Sequence, residues 1–488
     1  MVSHGVERAP RIDPDYAGVT IPPNIAPLNF AVREPGRAYQ IRIEGPAGGG
    51  FTVRSEQPRI RLPRRRWREL LARARGDSMR WRVAAQQADG TWREYAPVFV
   101  RVAPEPIDPV LVYRRLRPLY SKYVEMGIYQ RDLESYQERC ILHSRNIGGA
   151  CLNCHAFRER DPVRFALHTR GSHGPTMLLA ADGRVRSVDT RTAFNAAPAA
   201  YTAWHPGGQW LAFSVNKLAL FYHMRGETRD VFDSASDLVL YRVATDELAA
   251  DPAIARPDSL ENWPAWDPAG RYLYFSRAPA SPIAEYAAVR YDLMRVGFDP
   301  DSGRLGEPET VLAASAAGFS VTQPRVSPDG RWLVVTGAAY GNFPVYRREA
   351  DLYMVDLDTG EWRPLESNDE ECDSWHSWSS NGRWLVFSSK RRDGLFARPH
   401  IAYIDSAGHA ARPFVLPQDD AAYYGACIET FNVPELARAP LPWGTYELAV
   451  ATWDAKATIA AGLDARVAPA AGPSPQQAAP EPYSSGAR

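Results

Sequence analysis

The 488-residue chain is predicted to be mainly β: an N-terminal β-sandwich, a short helical segment, then a five- or six-bladed β-propeller. Three observations predict this. The first hundred residues alternate apolar and polar side chains with period two, the strand signature. A phrase of eleven residues occurs four times between residues 204 and 388. The chain is also rich in Trp (14), Tyr (23) and Pro (41), which favours short strands and tight turns over helical bundles.

Residues 12–105 carry the alternation, in Ala38-Tyr39-Gln40-Ile41-Arg42-Ile43, Phe51-Thr52-Val53, Met79-Arg80-Trp81-Arg82-Val83 and Val98-Phe99-Val100-Arg101-Val102. Trp67, Leu70 and Leu71 fall at helical spacing between Arg64 and Arg75, and Gly76 closes that turn. The reading is a fibronectin-like sandwich with one helix. Pro104, Pro106 and Pro109 punctuate a linker, and Leu111, Tyr113, Leu116, Leu119, Tyr120 and Tyr123 fall at irregular helical intervals between Val110 and Arg139. Residues 106–174 are therefore read as a helical linker.

The repeat comprises Trp204-His-Pro-Gly-Gly-Gln-Trp-Leu-Ala-Phe-Ser214, Trp266-Asp-Pro-Ala-Gly-Arg-Tyr-Leu-Tyr-Phe-Ser276, Val326-Ser-Pro-Asp-Gly-Arg-Trp-Leu-Val-Val-Thr336 and Trp378-Ser-Ser-Asn-Gly-Arg-Trp-Leu-Val-Phe-Ser388, with starts 62, 60 and 52 residues apart. Each copy sets a turn between two strands, and a further strand pair follows, clearest at 351–365. Four strands per unit make a propeller blade, which cannot bury both faces alone. An extra pair at Met177–Val188, turning at Gly183, has no partner pair, and C-terminal strands are expected to complete it. The propeller is assigned to 175–454. The Ala-, Pro-, Gly- and Ser-rich stretch 455–488 reads as a disordered tail.

Fifty-seven basic against 57 acidic residues give zero net charge, which argues against a general nucleic-acid binder. The first thirty residues hold no apolar run long enough for a signal peptide, and no stretch is long and apolar enough for a transmembrane helix.

Five cysteines cannot form a disulfide framework in a chain this long. Cys140, Cys372 and Cys427 stand alone, whereas Cys151-Leu152-Asn153-Cys154-His155 is a CxxCH motif, the attachment signature of c-type haem. Two thiols reach the two vinyl groups of one porphyrin and the adjacent imidazole ligates the iron. Chance gives on the order of 0.001 such windows in this composition. A zinc site would need a second Cys or His pair, and a thioredoxin-like CxxC would need a βαβ setting; neither is evident. For the second axial position the candidates are His168, His173 and Met177, with His143 and Met126 also near. His168 is preferred, since Phe165 and Leu167 can line a haem edge and Arg170 can meet a propionate. A surface histidine in a strand is the alternative for His168.

Elsewhere no Gly-x-Ser-x-Gly, Walker, dinucleotide or HExxH motif occurs. Asp356-Leu-Asp358-Thr-Gly360 reads as a hairpin turn rather than a calcium loop. Glu370, Glu371, Asp373 and His376 read as a solvated acidic loop, with a metal or ligand role as the alternative.

The repeated phrase resembles the TolB-type propellers. Taken with Ile21-Pro-Pro-Asn-Ile-Ala-Pro-Leu-Asn-Phe30, Gly127-Ile-Tyr-Gln-Arg-Asp-Leu133, the CxxCH and Ser374-Trp-His-Ser-Trp-Ser-Ser380, the chain resembles a family of exported bacterial proteins, often labelled TolB-like or cytochrome c biosynthesis proteins, to about Pro434. The resemblance implies a periplasmic or cell-surface location and a signal sequence that is not seen in this chain. The expected function is an exported monohaem c-type cytochrome carrying one covalent haem c, His155 as proximal ligand, and the propeller as a docking platform for a redox partner. Two alternatives remain at this level. One is a non-catalytic module that binds a protein or glycan on the propeller face, with structural haem or metal. The other is a haem enzyme with an open iron site, by analogy with the propeller-and-haem subunit of hydrazine synthase.

Overall fold

A computed structural model describes residues 3–117, 125–171, 175–221, 230–454 and 456–464. It is mainly β throughout. At the N-terminus a seven-stranded sheet runs Ser3–Val6, Trp92–Tyr95, Ser78–Gln86, Val98–Val102 and Thr20–Ile21, with Ala38–Glu44 and Gly50–Ser55 branching from its middle strand. A three-stranded sheet (Ile12–Asp13, Phe30–Val32, Arg59–Ile60) shares its core. The helix Arg64–Ala74 forms where its apolar stripe requires, burying Trp67, Leu70, Leu71 and Ala74, and Gly76 follows it at φ +81°. This core runs on into Trp384, Ile401 and Phe431, which seats the N-terminal unit on the ring described next.

Six sheets form the remainder, and their first strands touch in sequence until the sixth meets the first. The inner strands are Cys151–Phe157, Ala199–Trp204, Ser259–Trp266, Ser320–Val326, Asp373–Trp378 and Thr430–Ala437, belonging to blades 1 to 6 in that order. Blades 2 to 5 are the four sequence repeats, each phrase supplying the turn between first and second strand. Their glycines Gly208, Gly270, Gly330 and Gly382 all hold φ between +67° and +80°, the conformation that the turn demands.

Blade 6 is composite. Its outer strands Val110–Leu116, Gly127–Asp132 and Glu138–His143 come from early in the chain, and the late strand Thr430–Ala437 pairs antiparallel with Val110–Leu116 to close the ring. The helical reading of 106–174 is thereby corrected: the described part is strands joined by loops and short 3-10 turns. Val110–Tyr113 is buried on both faces, so its apolar run shows no period of two. Leu119, Tyr120 and Tyr123 lie outside the described residues.

The pair at Met177–Val188 is completed from the N-terminal side, by Cys151–Phe157 and Phe165–Arg170, to give blade 1. The CxxCH therefore stands inside the propeller rather than ahead of it. Past the last blade, Ile459–Ala460 and Gly462–Leu463 lie parallel on the outer strands of blades 1 and 2, so the stretch expected as a tail from 455 is ordered there. Residues 465–488 lie outside the described residues. No described helix is long and apolar enough to cross a membrane.

Candidate functional site

Every inner strand carries a register shift at the same height, between Leu152 and His155, Ala200 and Ala203, Asn262 and Ala265, Thr322 and Arg325, Ser374 and Ser377, and opposite Val112 and Arg114 in blade 6. An extra residue bends the strand and re-aims its side chain. Tyr201, Trp263, Gln323, Trp375 and Val433 sit at these bends with φ between 49° and 57°, a costly conformation for such residues. Cys154 joins Tyr201, Trp263, Trp375 and Val433 in one buried cluster on the axis. Tyr201 stacks on Trp263 with ring centroids 3.6 Å apart, and Trp375 meets Trp263 edge-on at 5.0 Å.

Counting from the bends defines two further rings. The second residue of each bend is Cys154, Thr202, Pro264, Pro324, His376 or Pro434. On the second strands, the partner of the last inner residue before the bend is Thr169, Ser214, Ser276, Thr336, Ser388 or Arg114. Five blades place a small hydroxyl there, and blade 6 places a guanidinium instead.

Cys151 pairs in register with Arg170, and its Sγ lies 3.9 Å from Sδ of Met126. Cys154 is buried, which pushes its thiol up. Asn153 Oδ1 accepts a 2.6 Å hydrogen bond from Arg114 Nη1, and Arg114 Nε donates to Asn432 Oδ1 at 2.8 Å. None of the five cysteines is in a disulfide.

His155 is buried, and neither ring nitrogen makes a hydrogen bond of normal geometry. Burial, with the Arg114 charge adding to it and the Val112 backbone opposing, pulls its pKa down to about 3, so the ring is neutral. It pairs across the sheet with Leu167, on the face toward blade 6. His168 is likewise buried with both nitrogens unpaired, and burial plus the Arg170 and Arg114 charges depress it strongly. It is no surface histidine. Its cross-strand neighbour is Met177, whose face turns toward blade 2.

Opposite residues of an antiparallel pair share a face and successive ones alternate. His155 and His168 thus occupy opposite faces of blade 1, and Met177 goes with His168. The structure does not bring His155 and His168 together as two ligands of one iron. His173 lies outside the described residues. His143 caps a 3-10 turn, its Nδ1 accepting from Arg145 N at 3.2 Å. Met126 is the thioether beside Cys151.

The donor set fits haem c in its proximal half. Two thiols outside any disulfide, at CxxC spacing, are followed by an imidazole whose nitrogens make no hydrogen bond of normal geometry, with the Arg114 and Arg170 guanidinium groups alongside. The trans ligand is not supplied by His168 in this arrangement. No group of three or more Cys, His, Asp or Glu suited to a metal occurs among the described residues, which leaves zinc without a ligand set.

The acidic stretch before blade 5 is not a solvated loop at its end: Asp373 is fully buried and paired with Arg391 at 2.7 Å, and His376 is buried. Glu371 pairs with Arg348 at 3.0 Å. The bends themselves escaped the sequence reading, although Trp263-Pro264, Gln323-Pro324 and Val433-Pro434 carried their signal.

No family model and no curated protein matches the chain. Among solved structures it is similar to TolB from Acinetobacter baumannii, at 14% identity over 77% of this chain and 85% of that one, with a TM-score of 0.43. It is also similar to prolyl oligopeptidase B from Galerina marginata, at 12% identity over 61% of this chain and 41% of that one (TM-score 0.37). Hydrazine synthase from Kuenenia stuttgartiensis matches at 12% identity over 52% and 76% of the respective chains (TM-score 0.30). The six-bladed ring rests on the strand pairing above.

Proposed function

We propose that the chain is an exported monohaem c-type cytochrome whose propeller carries the haem on its first inner strand and passes electrons to a partner protein. Cys151 and Cys154 would hold the porphyrin through thioether bonds, His155 would ligate the iron, and Arg170 and Arg114 would meet the propionates. When bound, the haem supplies a one-electron couple. The chain contributes the neutral imidazole, guanidinium charge at the anionic edge, and the buried aromatic packing of Tyr201, Trp263 and Trp375 that excludes water from the axis.

The observation that carries the reading is the CxxCH histidine held buried and neutral, with neither ring nitrogen in a hydrogen bond of normal geometry, beside two thiols that form no disulfide. The test is expression behind an export signal in a haem-attaching host, followed by mass measurement and a pyridine haemochrome assay. One covalent haem is expected, lost in the double variant Cys151→Ala, Cys154→Ala. A wild-type product without covalent haem rejects the proposal. A six-coordinate low-spin spectrum with reversible reduction supports electron transfer, whereas a high-spin iron that binds small ligands would replace it with catalysis at an open site.

A further inference from the structure

A second polar centre lies near the same end of the axis, built by blades 2, 3 and 4. Asp233, at 0% exposure near the start of the blade 2 strand Asp230–Arg242, accepts hydrogen bonds at one oxygen, Oδ2, from three side-chain amides. Asn216 Nδ2 donates at 2.8 Å, Asn262 Nδ2 at 3.1 Å, and Asn342 Nδ2 is the third donor. Asn216 belongs to the second strand of blade 2, Asn262 to the inner strand of blade 3, and Asn342 to the loop after Trp332–Ala338 in blade 4. None is more than 4% exposed. The sheet register sets Ser236 opposite Asn216 and Ser276 opposite Asn262.

The remaining oxygens of this cluster have no donor: Oδ1 of Asp233, Asn216, Asn262 and Asn342, and the hydroxyls of Ser236 and Ser276. Each buried acceptor left unsatisfied costs about 1–3 kcal/mol, and folded proteins tolerate few. Six in one place call for a common partner rich in positive charge. Arg170 acts on Asp233 through its charge.

The amides are two-sided. A half-turn of each replaces its Nδ2 by Oδ1 beside Asp233, and four oxygens from three blades then converge. Carboxylate, amide and hydroxyl oxygens without nitrogen or sulfur are the donor set of hard cations. We propose that Asp233, Asn216, Asn262 and Asn342 form a binding site for a hard metal cation, alkali or calcium, that pins blades 2, 3 and 4 together at the axis. A single carboxylate neutralises a single charge, which favours sodium or potassium over calcium.

The experiment is independent of haem. Chelator-treated protein in choline chloride is unfolded thermally while sodium, potassium or calcium is added at constant ionic strength. One cation is expected to raise the midpoint saturably by about 3 °C or more. Terbium luminescence, sensitised by Trp263, whose indole N–H donates to the Asn342 carbonyl at 3.0 Å, identifies the calcium case. Asp233→Asn, which keeps the shape and removes the charge, is expected to abolish the response. Asn342→Ala is expected to weaken binding at least 10-fold and decides the matter should Asp233→Asn fail to fold. The proposal is overturned if the wild type shows no cation-specific shift and elemental analysis finds no bound metal, or if the response survives both substitutions.

Discussion

His376 shows what an imidazole does on an inner strand when it serves only the fold. Its Nε2 lies 2.9 Å from the Val334 carbonyl and its Nδ1 3.4 Å from Thr336 Oγ1, so it ties blade 5 to blade 4. His155 stands one place further along its strand, at the position that Ser377 holds in blade 5, and makes no such bond at normal geometry. His376→Ala should cost about 2 kcal/mol in urea unfolding, from a lost hydrogen bond and a cavity, and leave haem content unchanged. His155→Ala should instead alter the haem spectrum. Burial holds His376 at about 3, below its ordinary value, so its contribution is present above pH 6.5 and is lost as pH falls from there toward 3, because the unfolded chain takes the proton first. Acid titration of wild type against His376→Ala measures that difference directly.

At the scale of elements, the repeats of blades 2 to 5 were legible because a glycine turn and a Trp- or Tyr-led strand recur together. Blade 1 uses the same hairpin without that vocabulary. Its phrase runs from Ala156 to Thr169, and its turn places Glu159 and Arg160, at φ 48° and 61°, where the other blades have glycine. Glu159→Gly, at an exposed position, should stabilise the protein by about 0.5–1 kcal/mol by removing the left-handed strain. Gly208→Ala should do the reverse by about 1–2 kcal/mol, since φ is +80° and the new methyl would clash with Arg158 Nη1. Chemical denaturation of both variants checks the pair. The motif itself was plain from five residues. That it lies on an inner strand, with His155 and His168 on opposite faces, depended on a register shift that no local composition reports. The strand Val110–Leu116 was misread for a related reason, because flanking by neighbouring blades on both sides erases alternation. The short edge strands at Ile459–Ala460 and Gly462–Leu463 are two residues each, too short to show a period, although Ala461 and Leu463 pack against the core of blades 1 and 2.

Across the whole molecule, charges drawn toward the axis make stability depend on pH. Glu435 accepts the Phe157 N–H at 3.0 Å, and burial pushes it up to about 7 in spite of that bond, Arg325 and Arg160. Its folded pKa lies above the unfolded value, so its contribution is fully present below about pH 4.5 and is lost as pH rises through 7. Glu435→Gln should therefore match the wild type near pH 4 and exceed it by about 1 kcal/mol at pH 8, a figure discounted for the partial exposure of the group. The difference between the two stability profiles between pH 4 and 8 is the measurement.

The late strand Thr430–Ala437 also imposes an order in time. Blade 6 has its outer three strands early in synthesis but no inner strand until residue 437 has emerged, and it is against this blade that the face of blade 1 bearing His155 is laid. Until then the ring is an open arc with the CxxCH strand at its free end. On the proposed reading haem attachment requires accessible thiols, so the interval before the final strand docks is when Cys151 and Cys154 would be within reach. Ring closure then turns that strand into an interior wall.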